Sequence, residues 1–109
     1  MKKWYSIQSS AQSGAPAKIS IHDEIGGWGI TARDFIRDFD ALPQDAAIEL
    51  SVHSPGGSVF EALAIYHVLA RVKDRLTARV EGLAASAASL IVMAAGRIEM
   101  PENAYLMIH

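Results

Sequence analysis

The chain has no cysteine, which excludes disulfides, thiolate metal ligands and a cysteine nucleophile. It has no run of Lys and Arg that would mark a nucleic-acid surface, and its net charge of −2 singles out no partner. Long hydrophobic runs are missing too. The longest apolar stretch, residues 82–96, carries Ser86 and Ser89 and falls short of the about 20 residues a membrane-spanning helix needs. It reads instead as a buried core helix. The start, Met1-Lys2-Lys3-Trp4-Tyr5-Ser6, is basic but without the apolar centre of a signal peptide. The four histidines show neither H-x-x-x-H nor H-E-x-x-H spacing, so no metal and no cofactor is expected. There is no internal repeat, low-complexity tract or linker.

Half of the 109 residues are hydrophobic and a fifth are charged, a balance that favours a folded chain over disorder. That length fits one domain able to bury roughly two-thirds of its unfolded surface. Residues 1–16 read as an N-terminal strand and loop, and residues 17–109 as the core of the fold.

Residues 4–8 form a candidate strand, followed by a turn-rich loop to Pro16. In residues 17–22, Ile19 and Ile21 alternate with polar neighbours, the period of a strand. Thr31 opens a helix, with Asp34 placed to reach back to the free amides. Ala32, Phe35, Ile36, Phe39 and Leu42 mark its apolar face, and Pro43 its end. Residues 46–52 form a second strand, and Ser54-Pro55-Gly56-Gly57 a tight turn. Ser58 and Glu61 are spaced as the capping box of a helix running to about Val72. Residues 76–80 predict a third strand, residues 86–95 a helix, and residues 97–100 and 104–108 two short strands. Strands alternating with helices indicate an α/β fold with a parallel component in its sheet.

Two segments have chemistry available to them. At residues 54–58 a strand delivers the chain to two glycines, and a capped helix leaves. Glycine allows unusual dihedrals and close approach to the backbone amides, which can hold an anion or a developing oxyanion. A plain strand-to-helix turn has the same composition. In Gly82-Leu83-Ala84-Ala85-Ser86-Ala87-Ala88-Ser89, a serine stands among small residues that leave room for a substrate carbonyl. Such a serine becomes a nucleophile only when a base removes its proton; otherwise it packs a helix or serves as an N-cap. His22, His53, His67 and His109 are all candidate bases, and the residues alone do not choose among them.

In order and spacing these segments resemble the Clp protease proteolytic subunit (ClpP) family. The resemblance rests on Ser54-Pro55-Gly56-Gly57-Ser58, Ala64-Ile65-Tyr66, Gly82-Leu83-Ala84-Ala85-Ser86, Ala94-Ala95-Gly96 and residues 100–109, Met-Pro-Glu-Asn-Ala-Tyr-Leu-Met-Ile-His. Residues 25–35, Ile-Gly-Gly-Trp-Gly-Ile-Thr-Ala-Arg-Asp-Phe, with the paired Ala-Ala-Ser around Ser86, look most like the head-maturation proteases of tailed phages and prophages. His53 and Leu83 stand where the family often has asparagine and glutamine.

The resemblance implies the ClpP/crotonase-like spiral of β-β-α units, incomplete at the C-terminus. It implies a serine endopeptidase in which Ser86 is the nucleophile and His109 the general base. Gly57 and Ala87 would donate the oxyanion-hole amides, Gly56 would hold the turn open, and Pro55 and Ser58 would border a cleft where peptide adds as a strand. The family's third triad member, an aspartate, falls beyond His109, where the chain stops directly after an apolar strand. This reads as truncation, and such a fragment is expected to be inactive alone. The resemblance further implies a homo-oligomeric ring, a protein or peptide substrate such as a capsid or scaffold protein, an ATP-dependent unfoldase as possible partner, and location in the bacterial cytoplasm or phage prohead. A crotonase-like acyl-CoA enzyme and a non-catalytic assembly module or gene remnant are the alternatives.

Overall fold

The computed structural model describes residues 3–9 and 15–107. Its elements follow one another as β1 (Tyr5–Gln8), β2 (Ala17–His22), α1 (Ala32–Asp40), β3 (Ile48–Ser54), α2 (Val59–Ala70), β4 (Leu76–Ala85), α3 (Ala87–Val92), β5 (Arg97–Glu99) and β6 (Tyr105–Met107). The sheet runs β1-β2-β3-β4-β5, with β6 added on β4. Only the β1–β2 pair is antiparallel; β2–β3, β3–β4, β4–β5 and β4–β6 are parallel. Each parallel step from β2 to β5 carries one helix, the β-α-β crossover that parallel pairing requires. The mixed α/β architecture expected from the sequence is what forms.

Alternation decides which face is covered. Ala17, Ile19 and Ile21 of β2, Ile48, Leu50 and Val52 of β3, and Leu76, Ala78 and Val80 of β4 are all buried in one core with Phe35, Ile65, Leu69 and Ile91 of the helices. The other face carries Lys18, Ser20, Glu49, Ser51, Thr77 and Arg79, and lines an open polar trough. There Arg79 pairs with Glu81 at 3.1 Å and Glu99 at 3.8 Å.

The N-terminal strand is part of this core. Trp4 and Tyr5 are buried, Trp4 stacks on Phe35 at 6.1 Å, and its indole N–H donates to the Ile30 carbonyl at 2.8 Å. At the start of α1 the Thr31 N–H donates to Asp34 at 2.9 Å, as the spacing predicts. At the start of α2, Ser58 Oγ accepts from Glu61 N–H at 3.3 Å. The Glu61 carboxylate, however, caps the neighbouring helix, accepting from Ala32 N–H at 2.5 Å. It thereby ties the two helix starts together.

Several boundaries differ from the expectation: β3 is Ile48–Ser54 rather than 46–52, and α3 ends at Val92 rather than Ala95. β4 does not stop at Val80 but continues to Ala85, with a register irregularity opposite Val52 and Ser54. Its first half pairs with β5 at Thr77–Arg79 and its last three residues pair with β6. Leu83, Ala84 and Ala85 have no strong strand preference of their own; the flanking β3 and β6 supply hydrogen bonds that make them a strand.

Candidate active site

Two turns meet at the ends of β3 and β4. The first begins at Ser54, the last β3 residue facing the core and almost fully buried. A buried hydroxyl needs partners. Ser54 Oγ donates to the Asp23 carbonyl at 2.5 Å and accepts from Gly56 N–H at 3.1 Å. This side chain, unassigned at the level of sequence, fixes the turn from inside. Its signal was available: Ser54 falls in phase with Ile48, Leu50 and Val52, so a polar residue occupies a core register.

The turn is then stitched to the segment after β2. Ile25 N–H donates to the Gly56 carbonyl at 2.8 Å, and Ser58 N–H donates to the Ile25 carbonyl at 3.1 Å. In such a parallel bridge the residue between, Gly57, turns its own N–H to the opposite side. Both glycines are required. At Gly57 (φ 143°) a Cβ would meet backbone atoms of Ile25, its nitrogen at 2.6 Å among them. At Gly56 (φ 110°) a Cβ would lie 2.9 Å from the Ala85 carbonyl oxygen, 3.1 Å from Ser86 Cβ and 3.3 Å from Ala87 N. The Gly-Gly turn therefore presses directly against the second turn.

That second turn is Ser86, between the end of β4 and the start of α3. Its backbone has φ 54° and ψ −121°, a conformation L residues resist. It occupies the N-cap position, yet its side chain makes no capping hydrogen bond. The hydroxyl is left uncommitted to the helix, and the amide of Ala87 is among the first-turn donors that have no intrahelical acceptor. Ser86 is half-buried. Its N–H donates to the Met107 carbonyl at 2.7 Å, so β6 reaches the elbow two residues before His109 in the sequence.

The histidines separate. His109 lies outside the described residues. His22 and His53 are register partners on β2 and β3. His53 projects from the open sheet face, its ring so close over Gly82 that a Cβ there would lie 2.8 Å from Nδ1. His22 Nε2 stands 3.1 Å from the Lys3 carbonyl oxygen. His67 is exposed on α2, against the Tyr66 ring. The fold thus brings Gly56 against Ser86 and Ala87, with Gly57 next on the turn against Ile25, Pro55 exposed and Ser58 half-buried. Among the described residues, no cluster of three or more His, Asp or Glu side chains could hold a metal ion, and no helix is long and apolar enough to cross a membrane.

The chain is 34% identical over 116 aligned residues to the ATP-dependent Clp protease proteolytic subunit 4, chloroplastic, of Arabidopsis thaliana, an alignment that covers 94% of this chain and 39% of the relative. It is 36% identical over 93 residues to an uncharacterized protein of Methanocaldococcus jannaschii, covering 77% of this chain and 32% of that one. The chain thus spans less than two-fifths of the length of these curated relatives. The family model described as Clp protease matches residues 19–109, which takes in both turns, most of β2 and every described strand from β3 onward. The chain belongs to the Clp protease family.

Proposed function

We propose that this chain carries the nucleophile-bearing part of a serine endopeptidase. In this reading Ser86 Oγ attacks a peptide carbonyl while His109 takes its proton. The N–H groups of Gly57 and Ala87 stabilise the tetrahedral oxyanion, and water then releases the acyl group. Peptide adds as an extended strand beside Pro55, Gly56 and Ser58. No residue of the chain is assigned as the acid that orients the histidine.

The observation that carries the reading is the Ser86 elbow: positive φ, a hydroxyl not used as a cap, and Gly56 packed against it so closely that no side chain fits between. A serine that merely started a helix would adopt extended backbone and cap the first turn. Further support comes from β6, whose Met107 is hydrogen-bonded to Ser86 just ahead of His109.

The finer reading is a phage or prophage protease that processes capsid or scaffold protein within a homo-oligomeric ring, with an ATP-dependent unfoldase as a possible partner and the bacterial cytoplasm or prohead as its place of action. It is supported by the sequence of residues 25–35 and by the paired Ala-Ala-Ser. The test is labelling of the full-length protein with a fluorophosphonate probe. Modification is expected at Ser86 and lost in Ser86→Ala. Persistent labelling of Ser86→Ala, or a full-length protein that labels elsewhere, would overturn the assignment.

A further inference from the structure

The second serine of the pair, Ser89, has no part in the chemistry above. It lies in α3 and is 3% exposed. A hydroxyl buried inside a helix is costly unless it finds an acceptor. Ser89 Oγ–H donates to the carbonyl oxygen of Ser86 at 2.5 Å. The same oxygen also accepts from Ser89 N–H at 3.0 Å. One residue therefore grips the Ser86 carbonyl twice, while Met107 grips the Ser86 N–H from the other side.

The peptide unit is planar, so fixing one of its atoms fixes the rest. The Ser86 carbonyl and the Ala87 N–H belong to the same plane and point in opposite directions. Holding the oxygen therefore aims the N–H. Without the second grip, this plane could turn about ψ of Ser86, relieving the strained combination of φ 54° with ψ −121°. Such rotation would swing the Ala87 N–H and alter its relation to Ser86 Oγ.

Resting on the reading of Ser86 as nucleophile and Ala87 as oxyanion donor, we infer that Ser89 is a positioning residue: its buried hydroxyl locks the Ser86–Ala87 peptide plane and so sets the direction of the oxyanion-hole amide.

The test compares Ser89→Ala and Ser89→Thr with the parent full-length protein. Threonine keeps a hydroxyl able to bond the carbonyl one turn back. Fluorophosphonate labelling of Ser86 and turnover of a peptide ester are measured, with thermal melts to verify folding. Ser89→Ala is expected to lower kcat and the labelling rate by about 10- to 100-fold, the scale of a misaimed catalytic group, with KM nearly unchanged. Ser89→Thr is expected to restore most of the loss. The ¹³C resonance of the Ser86 carbonyl, which needs no activity to be read, should move in Ser89→Ala and return in Ser89→Thr. A parent that never labels at Ser86 removes the nucleophile assignment and the inference with it. A parent that labels, with Ser89→Ala labelling at the same rate or leaving the carbonyl resonance in place, overturns the inference alone.

Discussion

A single backbone angle gives the sharpest consequences at the scale of the residue. Ser86 at φ 54° carries a strain of about 1–3 kcal/mol that glycine would not feel. Both Ser86→Ala and Ser86→Gly abolish the hydroxyl, but they should part in stability: urea unfolding is expected to place Ser86→Gly above Ser86→Ala by about 1 kcal/mol. Equal midpoints would mean that the elbow is not strained. Gly57→Ala is the opposite case, since its Cβ would collide with the Ile25 backbone rather than with a movable side chain. A loss of at least about 3 kcal/mol is expected, visible as a lowered melting temperature or failure to accumulate as folded protein. The Gly-Gly turn was legible from the sequence by residue type, whereas Ser86 was singled out by the resemblance, since its neighbours alone left a packing or N-cap role open. Ser54 and Ser89 were harder to read: each looks like an ordinary small polar residue until its burial is known, and only the phase of Ser54 with Leu50 and Val52 gave a hint.

Secondary-structure elements were read well wherever one periodicity acted alone. Ile19 and Ile21 on β2, and Phe35, Ile36 and Phe39 on α1, placed those elements within a residue or two. The end of β4 was missed because Leu83, Ala84 and Ala85 lack alternation, and their partners Tyr105–Met107 are twenty-two residues away in sequence. Local pattern carries no information about that pairing. The β1–α1 contact gives a prediction of its own. Tyr5 O–H donates to Asp38 at 2.6 Å. Burial, helped by that carboxylate, pushes the Tyr5 phenol well above its ordinary range, while accepting this hydrogen bond holds the Asp38 carboxyl below its own. The Asp38 contribution is complete above the ordinary carboxylate pKa of about 4 and is lost as pH falls through the folded value. The Tyr5 contribution is complete below about pH 10 and is lost as pH rises through the folded value. Tyr5→Phe should therefore cost about 1–2 kcal/mol near neutrality and progressively less toward either extreme, as read from urea midpoints across pH. A cost independent of pH would mean that the pair is not coupled to folding.

For the whole molecule, the core is confined to one side of the sheet while several large apolar side chains remain outside it. Phe60 is 87% exposed at the start of α2, with Val59 and Leu63 beside it, and Tyr105 is 68% exposed on β6. Apolar groups left outward in this way favour association. Sedimentation of the chain should show concentration-dependent self-association, and Phe60→Lys should shift it toward monomer with little change in melting temperature. Unchanged association would place the contact elsewhere. The length of β4 has a further consequence. One continuous strand anchors the hydrophobic interior at Leu76–Val80, passes a register irregularity and ends in the elbow, so the packed half sets where the elbow starts. Precision at the serine is thus inherited from the packing of Leu76, Ala78 and Val80, six or more residues up the chain. Amide hydrogen exchange around Ser86 should then slow only as far as β6 stays zipped to its partner. Mutations that loosen the interior should blunt reactivity before they unfold the chain.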